Sequence, residues 1–330
     1  MRTLPLLSLR AVGASVGVLA LAGSFVLLSG CSDSLAAPGI GASAQTTDAL
    51  GVLPTDADVY GMTNLEAARE SNALEAALGD AGLGLVNGRG SSDLDEFVRL
   101  TGFDPATDLD RIYVAGKEGD NARGAFVAYG RFDRDRIEQF ITTQDEAEFE
   151  ATSIDGLPVY ITTDDDGHRA GFALASDEMV LAGDEQTLRG MLNRLGGARS
   201  APSPELQALF DRVTFPDGAW FVARLDGADL DMSGSDNPSA LAAQAADGFV
   251  VSMAFEADGV PVRAFLSTKP EASSDDVADV VRGSLAAARV GLKDQPAVLD
   301  VLDRVEVDSD RDGVLIEGYL TPEFFATAQQ

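Results

Sequence analysis

Apolar residues recur along this chain at two periods, and the switches between them lay out its elements. Short runs rich in Val, Ile, Phe, Tyr and Trp read as strands over 59–65, 112–115, 125–132, 149–154, 157–163, 170–174, 179–181, 219–225, 249–255, 262–267, 305–307 and 314–319. Helical spacing lies between them. Ser71 opens a segment through Leu78, and Ser92 opens one that carries Leu94, Phe97 and Val98, with Gly102 past its end. Asp104-Pro105 reads as a cap followed by proline at the first helical position. Asp133 caps a helix stapled by Phe132 and Ile137, with Phe140 and Ile141 on the same inner face. Asp184 caps another that carries Leu188, Met191, Leu192 and Leu195 and ends at Gly196-Gly197. Ser273 or Ser274 opens the longest, striped by Val277, Val280, Val281, Leu285, Ala288 and Leu292.

Asp-Gly follows many of the strands. It occurs at 155, 166, 217, 226, 247, 258 and 312, and four of these (155, 166, 258 and 312) fall between expected strands. Glycine tolerates the positive φ of a tight hairpin, so the strands are expected to pair antiparallel. The fold class that follows is α+β, with antiparallel hairpins and helices packed on one face. The plan also occurs twice. Leu53-Pro54-Thr55-Asp56-Ala57 leads into Val59-Tyr60, and Phe215-Pro216-Asp217-Gly218-Ala219 leads into Trp220-Phe221. Each lead is followed by two strands, a helix and two strands, which reads as two diverged tandem repeats over 48–200 and 201–330. This arrangement loosely resembles uncharacterised two-repeat bacterial envelope proteins, a group that implies no particular chemistry.

The N-terminus has a different character. Arg2 and Arg10 are its charges, 11–28 is nearly all apolar or small, and Leu28-Ser29-Gly30-Cys31 follows. A basic start, an apolar core and small residues before a cut site mark a secretory signal. The last four residues resemble the lipobox of bacterial lipoproteins. That resemblance implies cleavage after residue 30 and lipidation of Cys31 by acyl chains such as palmitate. A retained membrane span is the alternative, because about 20 apolar residues suffice to cross. Cysteine usage favours the lipobox, since Cys31 is the chain's one cysteine and stands where the motif needs it. Residues 1–30 are thus expected to be the signal peptide and 31–47, small and polar, a flexible tether. With its thiol lipidated, the domain holds no disulfide. A serine after the cysteine implies, by enterobacterial sorting, an outer-membrane anchor on the periplasmic face where the cell has two membranes.

Charge narrows the partners. The whole chain carries −30, and loss of two arginines with residues 1–30 leaves −32. Asp outnumbers Glu 37 to 17, and Arg outnumbers Lys 21 to 3. Such a surface repels nucleic acid and anionic lipid heads, which need basic patches. It also repels itself until salt shortens the Debye length from about 10 Å at 0.1 M to about 3 Å at 1 M. A salt-adapted, halophilic surface fits this balance; a GC-rich genome would also favour Arg, Ala, Gly and Asp.

Candidate chemistry is sparse. Asp308, Asp310 and Asp312 with Gly313 match the start of a calcium loop, but its twelfth position is Tyr319 instead of a bidentate Glu. The hairpin-turn reading is preferred there, as it is for Asp164-Asp165-Asp166 before Gly167. Ser235-Asp236-Asn237 matches one β-lactamase element without the others: Lys117, Lys269 and Lys293 sit in neither companion motif. Gly13-Ala14-Ser15-Val16-Gly17 fits a hydrolase elbow but lies inside the signal segment, and Gly82, Gly84 and Gly88 miss the dinucleotide spacing. His168, the one histidine, reads as a turn residue. Trp220 and Phe221 read as core. No cofactor motif emerges. The expectation is a membrane-tethered envelope protein with a non-catalytic binding or scaffold role toward an envelope protein or small ligand. A carboxylate-dependent hydrolase of envelope sugars and a calcium-stabilised structural module remain as alternatives.

Overall fold

The computed structural model describes residues 44–71, 92–117, 123–143, 149–164, 167–197, 202–225, 242 and 244–328. The signal segment, Cys31, the helix expected from Ser71 to Leu78, the Gly82–Gly88 run, Asp165, Asp166 and Ser235-Asp236-Asn237 lie outside the described residues, apart from Ser71 itself. Ser71 closes a helix: its N–H donates to Ala68 O at the end of Leu65–Glu70.

Twelve strands form one antiparallel sheet in the order β11-β12-β10-β9-β8-β1-β2-β3-β7-β6-β5-β4. In chain order they are β1 (Val59–Asn64), β2 (Leu109–Lys117), β3 (Arg123–Gly130), β4 (Glu150–Ile154), β5 (Leu157–Thr163), β6 (Arg169–Ser176), β7 (Met179–Asp184), β8 (Ala219–Arg224), β9 (Ala246–Met253), β10 (Val260–Thr268), β11 (Glu306–Asp310) and β12 (Gly313–Leu320). The helices are α1 (Ala44–Val52), α2 (Leu65–Glu70), α3 (Ser92–Thr101), α4 (Pro105–Asp108), α5 (Arg134–Thr143), α6 (Glu185–Leu195), α7 (Pro204–Phe210), α8 (Ser274–Gly291), α9 (Pro296–Asp303) and α10 (Pro322–Ala328). The composition assigns 44–47 to the tether, but these residues begin α1. Thr46 is buried there and bonds Tyr113 Oη at 2.9 Å.

Local chemistry accounts for the boundaries. Asp184 accepts from Thr187 N at 2.9 Å to start α6, and Asp104 accepts from Ala106 N at 2.9 Å ahead of Pro105. Ser203 and Ser273 cap α7 and α8 in the same way. Asp155 and Gly156 both have positive φ, 51° and 83°, which is the two-residue turn that joins β4 to β5 with strand-matching twist. Asp312-Gly313 works differently from the expected turn. Arg311 and Asp312 make the turn, and Gly313 already pairs in β12, where a Cβ would meet Leu266 O at 2.2 Å.

The alternation of side chains splits the core into two layers, so the expected packing on one face is corrected: helices cover both faces of the sheet. On one face α1, α6 and α7 bring Val52, Leu53, Leu188, Met191, Leu192, Leu206 and Phe210 onto Tyr60, Met62, Tyr113, Val127, Leu181, Trp220 and Val250. On the opposite face two separate helical layers sit over the wings. Phe103, Ile137 and Ile141 cover Ala128, Tyr160 and Leu174 on one wing. Val277, Val281, Leu285, Val301 and Leu302 cover Val251, Val262, Ala264, Val314 and Ile316 on the other. Strands such as β2 and β8 are apolar at consecutive positions: Tyr113, Ala115, Trp220 and Val222 enter the shared core, and Ile112, Val114 and Phe221 face the opposite side.

The strand order is similar on either side of the β1–β8 pair. Outward on one side run β1, β2 and β3, then β7 and β6 after the connecting α5; on the other run β8, β9 and β10, then β12 and β11 after α8 and α9. A short helix precedes each first strand, α1 before β1 and α7 before β8. The first side adds the β4–β5 hairpin at its outer edge.

Candidate functional site

Among the described residues, the middle of the sheet carries an apolar strip between the two wing layers, here called the trough. Ile112 and Val114 on β2, Phe126 on β3, Phe221 on β8 and Phe249 on β9 all face this side and are half-buried. Phe126 leans on one wing core, and Phe221 and Phe249 on the other; Ile112 and Val114 belong to neither. Gly61 and Ala223 keep the centre low. Gly61 lies between Val114 and Phe221, where a Cβ would stand 3.0 Å from Val114 Cγ2. From β3 to β9 are four strand spacings, about 19 Å at roughly 4.8 Å each. That width admits one helix, about 10–12 Å across with its side chains. The five floor residues named above are apolar and non-titratable, which suits burial of an apolar segment.

The seam beneath the trough is fastened at both ends. Asn64 donates through Nδ2 to Asp217 O at 2.7 Å and through its backbone N–H to Gly218 O at 2.9 Å. At the other end Arg224 donates to Asp58 at 2.5 Å.

Two of the acidic residues singled out by their spacing, Asp310 and Asp312, share a structural partner. Arg212 donates to Asp310 at 3.1 Å and to Asp312 at 2.9 Å, with its guanidinium 4.2 Å from the centre of the Phe265 ring. Ser309 donates to Asp275 at 2.6 Å. Burial pushes the Asp310 carboxyl up, but N–H donation from Asp312 and Gly313 together with Arg212 holds it below the usual range. Asp308 is exposed on the edge strand and does not converge with the other two. Among the described residues no three His, Cys, Asp or Glu side chains are placed to hold a metal. His168 stands exposed in its turn with Nδ1 3.3 Å from Asp164 Oδ2.

A shallow depression lies on the other face, lined by Pro54, Asp56, Ala57, Lys117 and Thr187 among others. It holds one carboxylate, Asp56, 3.5 Å from Lys117 Nζ. Beside it, Tyr60 donates to Pro54 O, and burial, reinforced by Asp56, pushes its phenol up to about 12. Trp220 is core as expected, buried edge-on to Phe210 at 5.5 Å. Phe221, on the opposite face, is half-buried and packs against the other core while also lining the trough floor. The alternation of Trp220 and Phe221 on β8 carried that signal, because opposite faces of one strand cannot share a core.

No protein-family model matches the chain, and no curated protein matches it. Among solved structures the chain is similar to TP0453 in crystal form III, with a TM-score of 0.51 and 13% identity over 84% of this chain and 96% of that one. Crystal form IV of TP0453 gives 0.50 at 13% identity over 85% and 95%. At such identities the likeness is one of fold. Among the described residues no helix is long and apolar enough to cross a membrane.

Proposed function

We propose that this protein is a lipid-anchored, non-catalytic binding protein of a bacterial envelope, built by duplication, that holds an apolar segment of its partner in the central trough. The observation that carries this reading is the floor of half-buried Ile112, Val114 and Phe221 between two helical layers. Among the described residues neither wing core takes up Ile112 and Val114, and an apolar strip of this kind is a candidate binding surface. The lipobox resemblance at Leu28-Ser29-Gly30-Cys31 supplies the anchor, and the acidic surface disfavours nucleic acid and anionic lipid heads as the occupant. The similar strand order on either side of β1 and β8, each side led in by a short helix, supports the duplication.

The test is capture of partners from the native membrane by the full chain and by a Val114→Arg variant. The variant is expected to keep its melting temperature within a few degrees, because Val114 is half-buried, and to lose the captured partner. Equal capture by both chains rejects the trough. Cys31→Ser should abolish fatty-acid labelling and leave a larger, uncut precursor; a labelled variant rejects the anchor.

A further inference from the structure

The two outer edges of the sheet are built differently. An edge strand presents unpaired N–H and C=O groups, and proteins normally guard it with charge, proline, a bulge or a covering element. β11, Glu306-Val307-Asp308-Ser309-Asp310, is guarded. Three of its five residues are carboxylates, and α8 packs along it with Arg282 donating to Val307 O at 2.7 Å. β4, Glu150-Ala151-Thr152-Ser153-Ile154, carries a single carboxylate, and among the described residues no helix packs along it. It has no proline or lysine, its pairing with β5 is in register from end to end, and Glu150, Ala151 and Ser153 are exposed.

Two-fold pairing brings identical strands together antiparallel, so each strand must be complementary to its own reverse. Centred on Asp308, β11 would set Asp308 against Asp308 and Glu306 against Asp310, all like charges. Centred on Thr152, β4 sets Glu150 against Ile154, Ala151 against Ser153 and Thr152 against Thr152. No charge faces a like charge, and Thr–Thr is a favourable cross-strand pair. The one carboxylate is already held within its own chain: Arg169 donates to Glu150 at 2.9 Å and to Glu185 at 2.5 Å.

We propose that β4 pairs antiparallel with β4 of a second copy about Thr152, joining two sheets into one across a two-fold axis. Five residues make a small contact, so the dimer is weak. Net repulsion between two strongly acidic chains makes it tighter at high salt.

The test uses the full chain with Cys31→Ser, in detergent, at 1 M KCl. In directly opposed antiparallel residues the Cα atoms lie about 4.5–5.5 Å apart, within the span of a disulfide. Thr152→Cys is therefore expected to give a linked dimer on mild oxidation, at least tenfold more than Ser153→Cys, which is more exposed but out of register with itself. Thr152→Pro should shift the unoxidised chain to monomer in sedimentation without loss of its circular dichroism. Equal linking by the two cysteine variants, or a parent chain that sediments as a monomer at 100 µM (an edge reserved for some other strand, or for none), overturns the proposal.

Discussion

Tyr60 shows how a single side chain in this core sets a pH limit. Its ring packs edge-on to Phe210 at 5.4 Å, and its hydroxyl donates to Pro54 O at 2.5 Å. The folded phenol keeps its proton up to about 12, where the unfolded one releases it near 10.0. Between those values the unfolded state binds fewer protons, so stability is complete below pH 10 and falls as pH rises toward 12. Two pKa units amount to about 2–3 kcal/mol at roughly 1.4 kcal/mol each. Tyr60→Phe should lose about 1 kcal/mol at pH 8 with its hydrogen bond and then show a flatter decline. Urea midpoints between pH 8 and 12 check this, and an equally steep decline in the variant would assign the alkaline limit elsewhere. At this scale the caps were legible, because Asp104, Asp184 and Ser273 act on neighbours two or three residues away. The Tyr60–Pro54 bond was not, since its geometry depends on α1 and α7 closing over β1.

At the scale of elements, the β11–β12 hairpin depends on a residue about a hundred positions earlier. Arg212, just past α7, spans Asp310 and Asp312 and lies over Phe265. Arg212→Ala is expected to cost about 1 kcal/mol at low salt, since part-exposed ion pairs and cation–π contacts are each worth about 0.2–1 kcal/mol. The cost should shrink toward 1 M KCl, as thermal melts at both salts would show; a loss independent of salt would mean that packing on Phe265 dominates. Lowered in the fold, the Asp310 carboxyl contributes stability that is present at neutral pH and lost as pH falls through its folded value, so the variant should also have a shallower acid limb. The sequence placed this hairpin and its acids but had no local pattern that named Arg212. It also placed the strands, β5 at its observed bounds, because short runs of β-branched and aromatic residues between Asp-Gly turns are a strong local signal. Helices α7, α9 and α10 escaped because seven or eight residues give too little periodicity, although Ser203-Pro204-Glu205 is a start signal. Helix α1 escaped because its first turns are small and polar and its apolar contacts come late, at Ala49 and Val52.

For the whole molecule, the net charge of −30 and the twelve-stranded sheet set the terms. Screening that charge should raise the melting temperature between about 0.1 and 1 M KCl; a flat or falling value would argue against a salt-adapted surface. The sequence could assign strands to hairpins, but it could not tell that the hairpins share one sheet. That depends on β1 pairing with β8 and β3 with β7, contacts between residues far apart in the chain. Their two-sided apolar pattern hinted at helices on both faces, and the expectation of one covered face missed it. The strand count also has a geometric consequence. Neighbouring strands rotate by roughly 20–25°, so the eleven steps across this sheet add up to more than half a turn. The outermost strands are then turned well away from one another, with the β1–β8 pair near the middle of the twist. On the proposed reading, a partner seated on Ile112 and Val114 must be narrow and aligned along the central strands, because a flat surface meets a twisted sheet at one wing at a time.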